Sequence, residues 1–151
     1  MDTILEKIRN LVNKGFKEIV LTGVDITCWG SDIAGNDKLG DLVNNILNET
    51  PNLPRLRLSS LDVSEMDDNL LHVFKTNKRM MPHLHLSLQS GNNLILKRMK
   101  RRHSREQAID VCRNLKAVRP ELTFGADLIA GFPTESDTMF LDTIKLVDEC
   151  D

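Results

Sequence analysis

Apolar positions recur along this chain at two alternating periods. Ile4, Ile8, Leu11 and Val12 fall at helical spacing, and Gly15 supplies a stop. Lys17-Glu18-Ile19-Val20-Leu21-Thr22 predicts a strand. A polar, glycine-containing loop follows, with Asp37 placed to cap a helix whose stripe is Leu39, Leu42, Val43, Ile46 and Leu47. Pro51 and Pro54 end it, and Arg55 to Leu61 predicts a second strand. Residues 67 to 76 predict a short helix with Leu70, Leu71 and Phe74 turned inward. A third strand is expected from His83 to Leu88, then a helical segment from Leu94 to Met99. Ser104 and Gln107 form a capping box for a helix carrying Ala108, Val111, Cys112, Leu115 and Val118, closed by Pro120. Thr123 to Ile129 predicts a fourth strand. Gly131-Phe132-Pro133 then turns into a last helix with Phe140, Ile144 and Val147 as its apolar stripe.

Strands alternating with amphipathic helices predict an α/β fold with a parallel sheet and right-handed crossovers. Two strands narrow the choice. Arg55-Leu56-Arg57-Leu58-Ser59-Ser60 and His83-Leu84-His85-Leu86-Ser87-Leu88-Gln89 alternate polar and apolar residues with period two. Strands covered by helices on both faces tend to be apolar throughout. In a barrel only the outside is covered, so the leucines pack outward and the polar set faces the lumen. A strongly polar lumen is unusual for a fully packed eight-strand barrel, so an open or partial barrel around a polar ligand is expected. Four parallel strands cannot close. The chain therefore reads as the middle of a larger barrel, with open edges and uncovered apolar surface that favour self-association.

Composition trims the options. With 151 residues and a formal net charge of -2, the chain fits one domain and is not a globally basic nucleic-acid binder. No apolar run reaches the ~18 residues of a membrane span, and the start lacks the order of a secretory signal, so a soluble, cytoplasmic protein with no membrane partner is expected. Cys28, Cys112 and Cys150 lack the close spacing of a zinc or iron–sulfur ligand set and read as structural or incidental.

Ligands of parallel α/β sheets sit where strands end. Four such ends are legible: Thr22-Gly23-Val24-Asp25, Ser59-Ser60-Leu61-Asp62, Gln89-Ser90-Gly91-Asn92, and Asp127 through Glu135. Ordinary turn chemistry explains any one of them; four above a polar strand face point to a shared site. His83 and His85 share one side of a strand, as in metal-dependent hydrolases, but lie early in it and have no carboxylate on the same strand. Lys97, Arg98, Lys100, Arg101 and Arg102 belong to a basic run that either contacts RNA or phosphate or is simply a solvated surface. Few aromatics accompany it, against a base-stacking platform. Gly131-Phe132-Pro133-Thr134-Glu135 is neither a Walker nor a dinucleotide glycine motif, and Thr134 is placed to cap the helix that follows.

Four segments carry a resemblance: Leu21-Thr22-Gly23-Val24-Asp25-Ile26, His83 to Gly91, Leu96-Lys97-Arg98-Met99-Lys100-Arg101, and Asp127 to Glu135. In that order, over essentially the whole chain, they resemble the radical-SAM methylthiotransferases of tRNA. The segments His85 to Gln89 and Leu96 to Ser104 look closest to the branch acting on threonylcarbamoyladenosine; the isopentenyladenosine branch is the near neighbour. The resemblance implies a partial parallel (β/α) barrel of radical-SAM type, with strands two to five of six present. It implies S-adenosylmethionine bound across the strand ends against a four-iron 4Fe-4S cluster, and tRNA as partner. By position, Gly23 and Asp25 match the segment meeting the methionine amino group. Ser60, Gln89 and Ser90 match cofactor-side strand ends, and Asp127, Ile129 and Gly131 the adenine side. The Cys-x3-Cys-x2-Cys cluster loop, the amino-terminal cluster domain and the carboxy-terminal RNA-binding domain of the family have no counterpart here. The chain is therefore expected to be an incomplete core domain, without a cluster of its own and inactive alone unless a complementary chain supplies the rest. The alternatives are a non-catalytic remnant that binds S-adenosylmethionine or RNA, and a hydrolase using His83 and His85.

Overall fold

The computed structural model describes residues 1–32 and 35–151; Ile33 and Ala34, in the loop expected after the first strand, lie outside the described residues. In chain order the elements are α1 (Asp2–Asn13), β1 (Glu18–Leu21), α2 (Leu39–Glu49), β2 (Arg55–Leu58), α3 (Asp68–Thr76), β3 (His83–Gln89), α4 (Asn93–Arg98), α5 (Arg105–Val118), β4 (Thr123–Leu128) and α6 (Asp137–Cys150). The fold is α/β, and both strand pairs are parallel. The chain forms two compact units, one of residues 1–59 and 66–82, the other of residues 60–65 and 83–151.

In the first unit β1 pairs with β2 in the register Glu18↔Arg55 to Leu21↔Leu58. Ile19, Leu56 and Leu58 are buried on one face. On the other, Arg55 and Arg57 both grip Glu18, at 2.7 and 3.2 Å, and their guanidinium bonds hold its carboxyl below the usual range. Leu42, Val43, Ile46, Leu47, Leu70 and Phe74 are buried in the helical layer. Leu71, expected inward, is half-buried, and Val73 takes the inner position. The N-termini of α2 and α3 nearly touch. Gly40 donates its N–H to Asp67 Oδ2 at 3.0 Å, and a Cβ on Gly40 would lie 2.3 Å from the Leu70 nitrogen. Asp37, expected as the α2 cap, is displaced from that role: helix α2 starts after Lys38, whose N–H bonds to the Asp41 carboxylate at 2.8 Å. A carboxylate inside the first turn reaches back to the cap residue's own N–H and places negative charge at the helix N-terminus.

In the second unit β3 pairs with β4, and Leu61 bridges to Leu86 on the opposite edge of β3. Burial along β3 alternates without a break: Leu84, Leu86 and Leu88 are buried, while His83, His85, Ser87 and Gln89 are half-buried. Ser104 and Gln107 close the capping box expected for α5. Two expectations shift. Ser136, not Thr134, caps α6, because Thr134 has left-handed backbone (φ 73) that an N-cap does not adopt. The apolar stripe of α6 also faces out: Phe140, Ile144 and Val147 are 37, 47 and 52% exposed, and Thr143, Leu146 and Cys150 are buried instead. Polar contacts fix this rotation. Thr143 Oγ1 accepts the Gly91 N–H at 2.8 Å, Asn92 donates to Asp142 at 2.7 Å, and Arg105 reaches the Asp142 carbonyl at 2.9 Å. Gly91 lies so close that a Cβ would sit 2.4 Å from that carbonyl oxygen.

Candidate functional site

The polar face and carboxyl ends of β3 and β4 form the candidate site of the second unit. The ladder is in step from His83↔Thr123 to Leu86↔Ala126, then resumes at Gln89↔Leu128. Ser87 and Leu88 thus face the single residue Asp127, which is a β-bulge. Past the bulge Gln89 adopts φ 64, its carbonyl accepts the Ile129 N–H at 2.9 Å, and the Ser90 N–H returns to the Leu88 carbonyl at 2.8 Å.

Asp127 projects from β4 with its side chain 73% exposed, and its carboxylate meets His85 Nε2 at 3.3 Å. Gly125, paired with His85 across the ladder, keeps this face low; a Cβ there would be 3.1 Å from His85 Nδ1. The carboxylate absent from the histidine strand is thus supplied by its neighbour. Within either unit, among the described residues, no three His, Cys, Asp or Glu ligand atoms gather within 4.8 Å. Ile129 is exposed, and Gly131 (φ 76) donates its N–H to Glu135 at 2.7 Å. Arg98 closes over this loop, donating to the Thr134 carbonyl at 3.1 Å and to its hydroxyl at 2.5 Å.

The structure brings Gln89, Asp127 and Ile129 to one sheet end, with Gly131 two residues beyond. Ser90 follows Gln89 but is fully buried, with its Oγ 3.3 Å from Thr143 Oγ1 and accepting the Asn92 N–H at 3.2 Å. Ser60 is exposed at the start of the 60–65 segment. Gly23 and Asp25 belong to the first unit, exposed after β1, where Asp25 accepts the Thr27 hydroxyl at 3.0 Å.

Of the basic run, Lys97 and Lys100 are exposed. Arg101 turns inward, donating to Asp62 at 2.8 Å and to the Ser87 carbonyl at 3.1 Å, and Arg102 pairs with Glu65. Asp62 is the centre of a buried network that residue spacing did not reveal. Its carboxyl is held far below the usual carboxylate range by His103 first, against the upward push of burial, and by the Ser64 hydroxyl and amide and Arg101. Asp62 and Arg101 are 39 residues apart, so no periodicity joins them; Asp62 entered the sequence reading only as the last residue of a polar strand end. Cys112 and Cys150 are buried side by side in the second unit, where the neighbouring thiol and burial push the Cys112 thiol up. Cys28 is in the first unit. The buried pair Cys112 and Cys150 by itself falls short of the cysteine set that holds an iron–sulfur cluster.

The radical SAM superfamily model matches residues 1–147. The chain belongs to that superfamily. It is 50% identical, over 99% of its length, to the threonylcarbamoyladenosine tRNA methylthiotransferase MtaB of Rickettsia prowazekii, covering 35% of that protein. It is 37% identical over 98% of its length to the tRNA-2-methylthio-N(6)-dimethylallyladenosine synthase of Shouchella clausii, covering 28% of it. A Thermotoga maritima MtaB is 36% identical over 99% of the chain, with 34% of that protein covered. The chain thus spans about a third of the length of the curated relatives it matches. Among the described residues no helix is long and apolar enough to cross a membrane.

Proposed function

We propose that this chain is a central part of the radical-SAM core of a tRNA methylthiotransferase, contributing strands two to five of a six-strand partial barrel. Its substrate would be a hypermodified adenosine such as threonylcarbamoyladenosine in tRNA, in the cytoplasm. The observation that carries the reading is the strand-end geometry of β3 and β4, in a chain 50% identical along nearly all its length to a relative bearing that activity in its name. A polar strand face, the half-buried Gln89, an exposed Asp127 and the exposed turn at Ile129 and Gly131 offer polar groups suited to a nucleoside.

In this reading S-adenosylmethionine, when bound, supplies the radical chemistry, and this chain's part is to bind and orient it. Gln89, Asp127, Ile129 and Gly131 would line the adenosine portion, with Ser60 a further cofactor-side residue of the same unit and Ser90 acting from behind; in the first unit, Gly23 and Asp25 hold the family position of the segment that meets the methionine amino group. Lys97 and Lys100 are the exposed cations of the run available to RNA phosphates, with Arg98, Arg101 and Arg102 holding the loops around them. The three cysteines do not fit an iron–sulfur cluster, so the cluster-binding segment, the second-cluster domain and the RNA-binding domain of the family would lie outside these residues. The chain alone would then be inactive.

Titrating S-adenosylmethionine into isotope-labelled chain tests this. Millimolar-range binding that shifts the amides of Gln89, Asp127, Ile129 and Gly131 is expected, with the shifts lost in Asp127→Ala. Absent shifts there, or a stoichiometric cluster spectrum after anaerobic iron and sulfide reconstitution of this chain, would overturn it.

A further inference from the structure

Ser87 and Leu88, the two residues of the β3 bulge, present carbonyls that β4 does not match one for one, and side chains bond both. Arg101 donates to the Ser87 carbonyl at 3.1 Å, and His103 Nε2 lies 3.2 Å from the Leu88 carbonyl. A carbonyl only accepts, so Nε2 is the donor in this contact. Asp62 lies behind both donors: Oδ2 accepts Arg101 at 2.8 Å, and Oδ1 lies 3.8 Å from His103 Nδ1, a charge contact longer than a hydrogen bond. Ser64 fixes the carboxylate in turn, through its N–H at 3.0 Å and its hydroxyl at 2.7 Å. The assembly is withdrawn from water, with the His103 side chain 1% and the Asp62 side chain 10% exposed.

The same Leu88 carbonyl takes the Ser90 N–H at 2.8 Å across Gln89 at φ 64. A three-residue turn with its central, non-glycine residue at positive φ is rare and strained. Such strain persists only where the surroundings over-determine it, and it clusters at ligand sites. Here both lone pairs of the Leu88 carbonyl are engaged, one by the turn and one by His103. Relaxing the turn by rotating the peptide between Leu88 and Gln89 would strip a buried imidazole of its acceptor.

We propose that Asp62, Arg101 and His103 are positioning residues that hold the bulge and strained turn of β3, and so aim Gln89 at the S-adenosylmethionine adenosine. The last part of this rests on the cofactor reading above. The clamp touches carbonyls, not the ligand, so it acts through the backbone conformation of Gln89.

Site-resolved NMR on the full chain tests it, with His103→Phe removing the donor at similar shape, Asp62→Asn removing the anchor, and His103→Gln offering a replacement amide donor. Exchange of the Ser90 amide is expected to rise about tenfold or more in His103→Phe and Asp62→Asn, the effect of losing one buried bond. The Gln89 carbon shifts should move away from left-handed values while the Leu84 and Leu86 amides stay unchanged. The His103→Gln variant should restore part of the protection, and S-adenosylmethionine affinity should fall with the turn. Unchanged Ser90 exchange and Gln89 shifts, or a uniform rise along β3, would overturn the clamp; should His103→Phe fail to fold, Asp62→Asn decides by the same readouts. A wild-type chain that ignores S-adenosylmethionine removes the cofactor reading alone, and the turn's response still decides the clamp.

Discussion

At Asp62 two opposing effects act on one carboxyl group. Burial favours the neutral acid, while His103, the Ser64 hydroxyl and amide, and Arg101 favour the anion; the donors win, and the group stays ionised far below the usual carboxylate range. A carboxyl whose pKa is lower in the folded than in the unfolded chain stabilises the fold above its unfolded pKa of about 4, and that contribution is lost as the pH falls further. Replacing Asp62 by Asn is therefore expected to lower stability at neutral pH, where Arg101 loses a buried counter-charge. The difference from the wild type should hold down to about pH 5 and shrink steadily below about pH 4. Urea midpoints of the two proteins across that range check this; a gap that stays constant into strong acid would mean that the carboxylate contributes shape and not charge.

At the scale of elements, the C-terminal end of α2 depends on a residue from a loop beyond α3. The Arg79 guanidinium donates to the Thr50 carbonyl at 2.8 Å, the Leu53 carbonyl at 3.2 Å and the Leu47 carbonyl, covering acceptors that a helix end leaves orphaned. Arg79→Ala is expected to destabilise the chain by about 1–3 kcal/mol, and Arg79→Lys to recover only part, because an ammonium cannot span three carbonyls with one planar fork. Denaturant midpoints measure both. Sequence pattern located β2 and β3 because a strand with one buried face repeats every two residues, and Leu84, Leu86 and Leu88 obey that period. It located the Ser104–Gln107 box because such a cap is local. It misplaced the cap of α6 and the facing of Phe140, Ile144 and Val147. The rotation of α6 is set by Gly91, Asn92 and Arg105, partners 37 to 52 residues away in sequence. The strand ends of the candidate site were legible as polar and glycine-bearing segments. The bulge and the Asp62 network were not, since both arise from pairing across long separations that no single stretch records.

At the scale of the whole molecule, each unit has a buried apolar interior, and one side of the second unit carries a run of exposed apolar side chains. Phe140, Ile144 and Val147 of α6, together with Leu128 and Ala130 from β4 and its exit, line an open apolar groove, and Ile129 beside them is 43% exposed. Among the described residues β4 pairs only with β3, so its other edge presents unused backbone donors and acceptors next to that groove. An apolar patch beside an open strand edge recruits whatever covers both, and for the isolated chain the available surface is another copy of itself. Sedimentation velocity should therefore show weight-average mass rising with concentration. Ile144→Lys combined with Val147→Glu should bring it back toward the monomer, with little change in the denaturant midpoint, because both side chains are already about half in water. If the wild type instead stays monomeric at high concentration, the exposed face of α6 is tolerated by the chain as it stands and the open edge of β4 is protected by its twist or by neighbouring charge. If the double variant loses stability as well as association, those two side chains are packed in solution, and the groove is narrower than their exposure implies.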